Sequence, residues 1–80
     1  MQIQRLLCKY FRDADDPQGE VDVTHIPFEV LSELFHPSAD DPLMYNVYDV
    51  EPAHALALQP YVREQIDLDR YEYKLETYQV

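Results

Sequence analysis

The residue types that most often carry out chemistry in proteins are few in this chain and far apart. His25, His36 and His54 are separated by 11 and 18 positions, whereas the ligands of zinc sites usually come in closely spaced pairs. Cys8 is the only cysteine, and it lies in an apolar, strand-like segment where a thiol is usually a small inert group. We therefore predict no metal site, no cofactor and no cysteine nucleophile.

A run of aspartates near the start of the chain resembles the beginning of a calcium-binding loop. Asp13, Asp15 and Asp16 are followed by Pro17 and Gly19. The proline replaces the next oxygen ligand of such a loop, and the glycine comes one position late. Calcium binding is therefore disfavoured.

Because no nucleophile, base or metal set is positioned by the sequence, a small enzyme is the least favoured function.

One segment combines carboxylates with aromatic rings within a dozen positions. Its members are Asp40, Asp41, Tyr45, Tyr48, Asp49 and Glu51. Rigid rings supply contact area in protein interfaces, and acidic side chains pair with Arg or Lys of a partner. We predict that these residues form a partner-binding site. In the alternative interpretation, the two tyrosines pack on the core and the acids only face water, since tyrosines are commonly half-buried.

The charge balance restricts the partners that the chain can bind. Its 80 residues include 16 Asp and Glu but only 6 Lys and Arg, which gives a net charge of −10 at pH 7. This negative field disfavours approach to DNA, RNA or anionic lipid, and it attracts a basic protein. We therefore expect a basic protein partner, no direct nucleic-acid binding and no membrane binding. Acidity that serves solubility alone is the alternative.

Cysteine usage and hydropathy indicate the compartment. A lone cysteine cannot form an internal disulfide, and no apolar run approaches the roughly 18 residues that a membrane span requires. The first residues, MQIQRLLCKYFR, lack the long apolar stretch and small-residue cleavage site of a secretory signal. We expect a single domain over residues 1–80, located in the cytoplasm.

Periodicity predicts three strands and two helices. Alternating or apolar stretches predict strands over residues 2–12, 20–24 and 70–80. The polar segment 13–20, which holds the only glycine, predicts a turn or flexible loop that allows a hairpin between the first two strands.

Prolines mark the helices. Apolar residues at helical spacing predict the first helix between Pro27 and Pro37. A second helix begins near Pro52, with Asp49 or Glu51 as its cap, and is expected to end or kink at Pro60.

These elements predict an α+β fold. We expect a three-stranded antiparallel sheet with two helices packed on one face, in the order β-β-α-α-β. Residues 44–50 belong to an ordered loop, with a fourth strand as the alternative. Glu72 and Glu76 are expected opposite Arg5 and Lys9, which would make the first and last strands neighbours.

Three stretches of the chain resemble a known class of proteins. They are the helix IPFEVLSELF, the loop DDPLMYNVYDVEP and the strand IDLDRYEYKLE. Together with the short length and acidic composition of the chain, they are similar over residues 20–78 to small bacterial immunity proteins of contact-dependent-inhibition and colicin-type systems. The resemblance implies a protein that binds a cognate toxin tightly and blocks its active site or a nearby surface. Many such toxins are nucleases with basic clefts, which an acidic inhibitor complements.

The expected function is therefore binding rather than catalysis. The chain is expected to neutralise a cognate toxin domain, a nuclease in the preferred interpretation, by covering its active site with carboxylates that imitate substrate phosphates. A phage-encoded acidic mimic of nucleic acid that inhibits a host defence complex fits the same charge. A regulatory interaction module is the third alternative.

Overall fold

The computed structural model describes residues 2–80 and contains four strands and two α-helices. Its elements, in chain order, are β1 (Ile3–Phe11), β2 (Pro17–Asp22), α1 (Phe28–Phe35), β3 (Tyr48–Asp49), α2 (Pro52–Leu58) followed by a 3-10 turn (Gln59–Tyr61), and β4 (Tyr71–Gln79). The predicted α+β class is confirmed. The predicted order changes, because the short strand β3 lies between the helices and gives β-β-α-β-α-β.

The four strands form one antiparallel sheet in the order β2-β1-β4-β3. The predicted neighbourhood of the first and last strands is confirmed: β1 and β4 pair along their whole length, from Ile3 opposite Gln79 to Phe11 opposite Tyr71. The sheet has four strands rather than three, because Tyr48 and Asp49 pair with β4. This was the alternative interpretation of residues 44–50.

The register corrects one predicted set of contacts. Odd-numbered residues of β1 pair with odd-numbered residues of β4, so that Arg5 lies opposite Thr77. Successive side chains of a strand point to opposite faces of the sheet. Glu72 and Glu76 therefore lie on the other face from Arg5 and Lys9, and the predicted cross-strand ion pairs are wrong.

One buried cluster joins the sheet to both helices. The sheet contributes Leu7 and Leu75, while α1 contributes Leu31 and α2 contributes Leu58. Because the two strand residues lie opposite each other and share one face, both helices pack on that face. Among residues 2–80, no helix lies on the opposite face of the sheet.

Local sequence determines where the helices begin and end. Pro27 precedes α1, and the helix ends where His36 adopts a left-handed backbone conformation (φ 50°). Glu51 precedes α2, and its N–H donates to Nδ1 of His54 at 3.0 Å. Pro60 lies in the 3-10 turn that terminates α2, as predicted. Both helices are short, and within residues 2–80 no helix has the length and apolarity needed to cross a lipid bilayer.

Candidate partner-binding site

A buried arginine holds the loop between α1 and β3. Arg5 is only 6% exposed. Its guanidinium donates hydrogen bonds to the carbonyl oxygens of Leu43 and Met44 and to the hydroxyl of Thr77, each at 2.9 Å. Burial lowers the pKa of Arg5, opposed by the nearby acidic groups. Because a buried cation must be fully hydrogen-bonded, these contacts fix the path of the loop backbone.

A buried aspartate holds the same loop from the other side. Asp41 accepts hydrogen bonds from the N–H groups of Tyr45 and Asn46, at 2.8 and 3.1 Å, and from the hydroxyl of Tyr48 at 2.5 Å. The hydroxyl is the main cause that keeps the pKa of Asp41 below its usual value, although burial opposes it. Both carboxylate oxygens of Asp41 are therefore occupied within the chain, and the side chain serves to order the loop.

The loop held by these two anchors exposes three large apolar side chains, Leu43, Tyr45 and Val47, which we call the apolar ridge. The three side chains are 52%, 49% and 57% exposed, whereas Met44 between them is fully buried in the core. Met44 has a left-handed backbone conformation (φ 57°), so the loop turns sharply at this residue. A rigid loop thus exposes large apolar side chains to water, which is a property of interaction surfaces.

The acidic residues predicted for the site are close to the ridge in sequence but lie in different environments. Asp40 is exposed beside the ridge. Asp49 lies on β3, where it forms an exposed ion pair of 2.6 Å with Lys74. Glu51 is exposed at the start of α2. The predicted acids therefore follow one continuous segment, but Asp49 and Glu51 also have partners in the chain.

The predicted tyrosines divide between the surface and the core. Tyr45 is half-exposed on the ridge. Tyr48 is partly buried, and its ring packs edge-on against Phe35 at 5.8 Å between centroids. Burial, followed by the hydrogen bond to Asp41, raises the pKa of Tyr48 to about 12. Tyr48 thus contributes to the packing of the loop against α1.

Sequence reasoning missed Leu43 and Val47. No simple periodicity could have found them, because four of the five residues from Leu43 to Val47 are apolar and the chain turns at Met44 instead of continuing as a strand.

A second acidic surface was also missed. We use the term acidic sheet face for the helix-free side of the sheet. It carries one lysine, Lys74, together with the carboxylates of Glu20, Asp22, Asp49, Glu72 and Glu76. The other two cations of the strands, Arg5 and Lys9, lie on the helix-covered side. The signal for this face was the acidic residues at every second position of β2 and β4. The sequence does not show that these two strands contribute to the same face, because that depends on the order of strands in the sheet.

A carboxylate near the middle of the acidic sheet face is held by tyrosines. Glu76 is 9% exposed and accepts hydrogen bonds from the hydroxyls of Tyr10 and Tyr78. Burial pushes the pKa of Glu76 upward, but the hydroxyls outweigh it and leave the pKa lowered. Burial, reinforced by the charge of Glu76, raises the pKa of Cys8 to about 12. The thiol therefore stays protonated at neutral pH, which makes it a poor nucleophile.

The family of the chain follows from a match over residues 4–76 to the model described as "Domain of unknown function (DUF7683)". The chain belongs to the DUF7683 family. The matched residues run from β1 to β4, so they include the loop anchors Arg5 and Asp41, the whole apolar ridge and Glu76. A search of the curated proteins finds no match. Within residues 2–80, no three His, Cys, Asp or Glu side chains are grouped to hold a metal ion.

Proposed function

We propose that this protein is a non-enzymatic inhibitor that binds a basic protein in the cytoplasm, as an immunity protein binds its toxin. The main support is the apolar ridge of Leu43, Tyr45 and Val47 on a loop that buried hydrogen bonds hold in place. Large exposed apolar residues on an ordered loop have no role in the core of this fold. They suit contact with another protein.

The anchoring of the loop favours binding. A flexible loop loses conformational entropy when it binds, whereas a loop that is already ordered avoids much of this cost. Arg5 and Asp41 order the loop through hydrogen bonds to its backbone. The side chains of the ridge take no part in these bonds and are free to contact a partner. Tyr45 at the centre of the ridge suits the role of an anchor, since tyrosine is enriched among the residues that dominate binding energy.

The charge around the ridge indicates the kind of partner. Asp40, Asp49 and Glu51 are exposed on the same segment, and the whole chain carries a net charge of −10. Such a field accelerates association with a cationic surface and opposes association with anionic ones. The partner that fits best has an apolar pocket bordered by Lys and Arg, as in the basic cleft of a nuclease toxin.

The direct test mixes the purified chain with the protein encoded by the neighbouring gene and measures their affinity by calorimetry. We expect a stable complex that protects cells from the toxicity of that protein. Tyr45→Ala should weaken the complex by about 2 kcal/mol, roughly thirtyfold, as expected for an interface anchor. Affinity should also fall as salt rises, because screening slows the encounter.

Matched controls distinguish binding through the ridge from nonspecific hydrophobic association. Leu56 on α2 is 79% exposed, so Leu56→Ala removes a comparable exposed apolar side chain elsewhere and should leave the affinity unchanged. Likewise, Asp40→Lys should weaken binding more than Glu29→Lys, which makes the same change of charge on α1. Equal effects of Tyr45→Ala and Leu56→Ala, or the absence of any complex, would refute the proposal.

A further inference from the structure

The strand β2 has an uncovered edge. It is the first strand in the sheet order, so only β1 pairs with it among residues 2–80. The N–H of Val23 donates to the carbonyl oxygen of Arg5 at 2.9 Å. Because backbone groups of an antiparallel strand alternate in direction, Val21 also turns its N–H and C=O toward β1, while Glu20 and Asp22 turn theirs outward.

The side chains on this edge indicate what can pair with it. Glu20 and Asp22 are both exposed on the acidic sheet face. The carboxylate of Asp22 accepts a hydrogen bond from the N–H of Thr24 at 2.8 Å, which orders the chain where β2 ends. A second copy of this chain would bring like charges together across the new pair of strands, which is unfavourable. A strand with Lys or Arg at the facing positions would be attracted instead.

A groove runs along the same edge on the helix-covered side. It has a volume of about 400 Å³, and its lining combines the side chains of Val21, Tyr61 and Val62 with those of Asp22, His25, Arg63 and Glu64. Val21 and Val62 both pack against the core under the helices. A hydrogen-bonding contact of 2.8 Å between Nε2 of His25 and the carbonyl oxygen of Tyr61 joins the two walls of the groove. An apolar side chain placed beside Val21 would therefore cover the apolar part of this groove, next to Tyr61 and Val62.

We propose that the edge of β2 binds an extended basic segment of a partner protein as an added strand. The two faces of that strand are recognised differently. Lys or Arg residues face Glu20 and Asp22, and the apolar residue between them covers the groove beside Val21. Main-chain hydrogen bonds to the outward backbone groups provide affinity, and the alternation of basic and apolar residues provides specificity. This surface shares no residue with the apolar ridge, so the inference holds whether or not the ridge binds a toxin.

The experiment titrates the chain with the synthetic peptide TKVKVKT and follows backbone amides by NMR. We expect saturable binding in which the amide protons of Glu20 and Asp22 exchange more slowly with solvent, because they become hydrogen-bonded to the peptide. The same peptide with methylated backbone nitrogens cannot donate hydrogen bonds and should bind at least about tenfold more weakly. The acidic peptide TEVEVET should not bind.

Charge variants test the site independently of the peptide chemistry. Glu20→Lys should weaken binding of TKVKVKT by about tenfold, whereas Glu29→Lys, which makes the same charge change on α1, should have less than about a twofold effect. Equal losses in both variants, or full binding by the methylated peptide, would overturn the proposal in favour of general attraction between charges. Tyr45→Ala should leave peptide binding intact, so a failure of the ridge is distinguishable from a failure of this edge.

Discussion

The molecule contains two clusters in which a carboxylate accepts hydrogen bonds from tyrosine hydroxyls, and the two clusters have different structural roles. Asp41 accepts a hydrogen bond from the hydroxyl of Tyr48, and Glu76 accepts hydrogen bonds from the hydroxyls of Tyr10 and Tyr78. Both carboxylates are buried. Asp41, however, also binds two backbone N–H groups of its own loop, whereas the hydrogen bonds to Glu76 come from side chains.

The difference shows how the surroundings decide what a buried carboxylate does. A carboxylate that accepts backbone N–H groups determines the conformation of the chain, because those donors have no other partner when the chain bends in this way. A carboxylate on a regular strand that accepts only side-chain hydroxyls does not determine the backbone conformation, because the sheet already determines it. We therefore expect the loss of Asp41 to disturb the loop, and the loss of the charge on Glu76 to change only the surface of the sheet.

The largest effect is expected for Asp41→Ala. The substitution leaves two N–H groups and the hydroxyl of Tyr48 without an acceptor, and it should lower the free energy of unfolding by about 2–3 kcal/mol. Urea denaturation measures this change. Asp40→Ala, at the exposed neighbouring position, should stay within about 0.5 kcal/mol of the original chain. Equal losses for the two variants would show that the hydrogen bonds of Asp41 contribute little.

A smaller effect is expected for Glu76→Gln. The amide oxygen can still accept from one tyrosine hydroxyl, so the free energy of unfolding should fall by about 1 kcal/mol. The amide resonances of the loop around Asp41 should not move, since the hydrogen bonds that the described part of the chain gives to Glu76 come from the hydroxyls of Tyr10 and Tyr78. Glu72→Gln, on the same face but exposed, serves as the control. A loss as large as that of Asp41→Ala would remove the distinction between the clusters.

The smallest effect concerns alkaline pH. The hydrogen bond to Glu76 is the main cause that raises the pKa of Tyr78 from its ordinary value of 10 to about 12. Because the hydroxyl stays protonated longer in the folded chain, its stabilisation is complete below pH 10 and is lost as the pH rises toward 12. Ultraviolet titration of tyrosinate measures the shift. In Glu76→Gln, part of the tyrosine absorbance should titrate at lower pH, and an unchanged curve would contradict the assignment.

Much of the fold could be predicted from local sequence. Pro27 and Pro60 mark helix boundaries that the structure confirms, and the alternation of β4 assigned its side chains to the two faces. The register between β1 and β4 could not be predicted, because periodicity gives the faces of a strand but not the residue that lies opposite. The predicted ion pairs of Arg5 and Lys9 failed for this reason.

The candidate site could be predicted only as a segment. The composition of residues 40–51 indicated an ordered, acidic and aromatic loop, and the structure contains such a loop there. It could not indicate that Asp41 turns inward while Asp40 stays exposed, since both have the same chemistry and adjacent positions. Asp41 turns inward because the N–H groups of Tyr45 and Asn46 meet its carboxylate, and the path of that backbone depends on Arg5, which is distant in sequence and donates to the carbonyl of Leu43. Whether the loop binds a partner stays a prediction.

The central position of β4 has a consequence for synthesis on the ribosome. Strands β1 and β4 are the two inner strands of the sheet, and β3 pairs with β4 rather than with either earlier strand. Until β4 has left the exit tunnel, β1 has only β2 as a neighbour, and a two-stranded hairpin is marginally stable in water. The apolar residues of β1 and β2 therefore lack a completed sheet until β4 has been synthesised, so the four-stranded core forms later than the first hairpin.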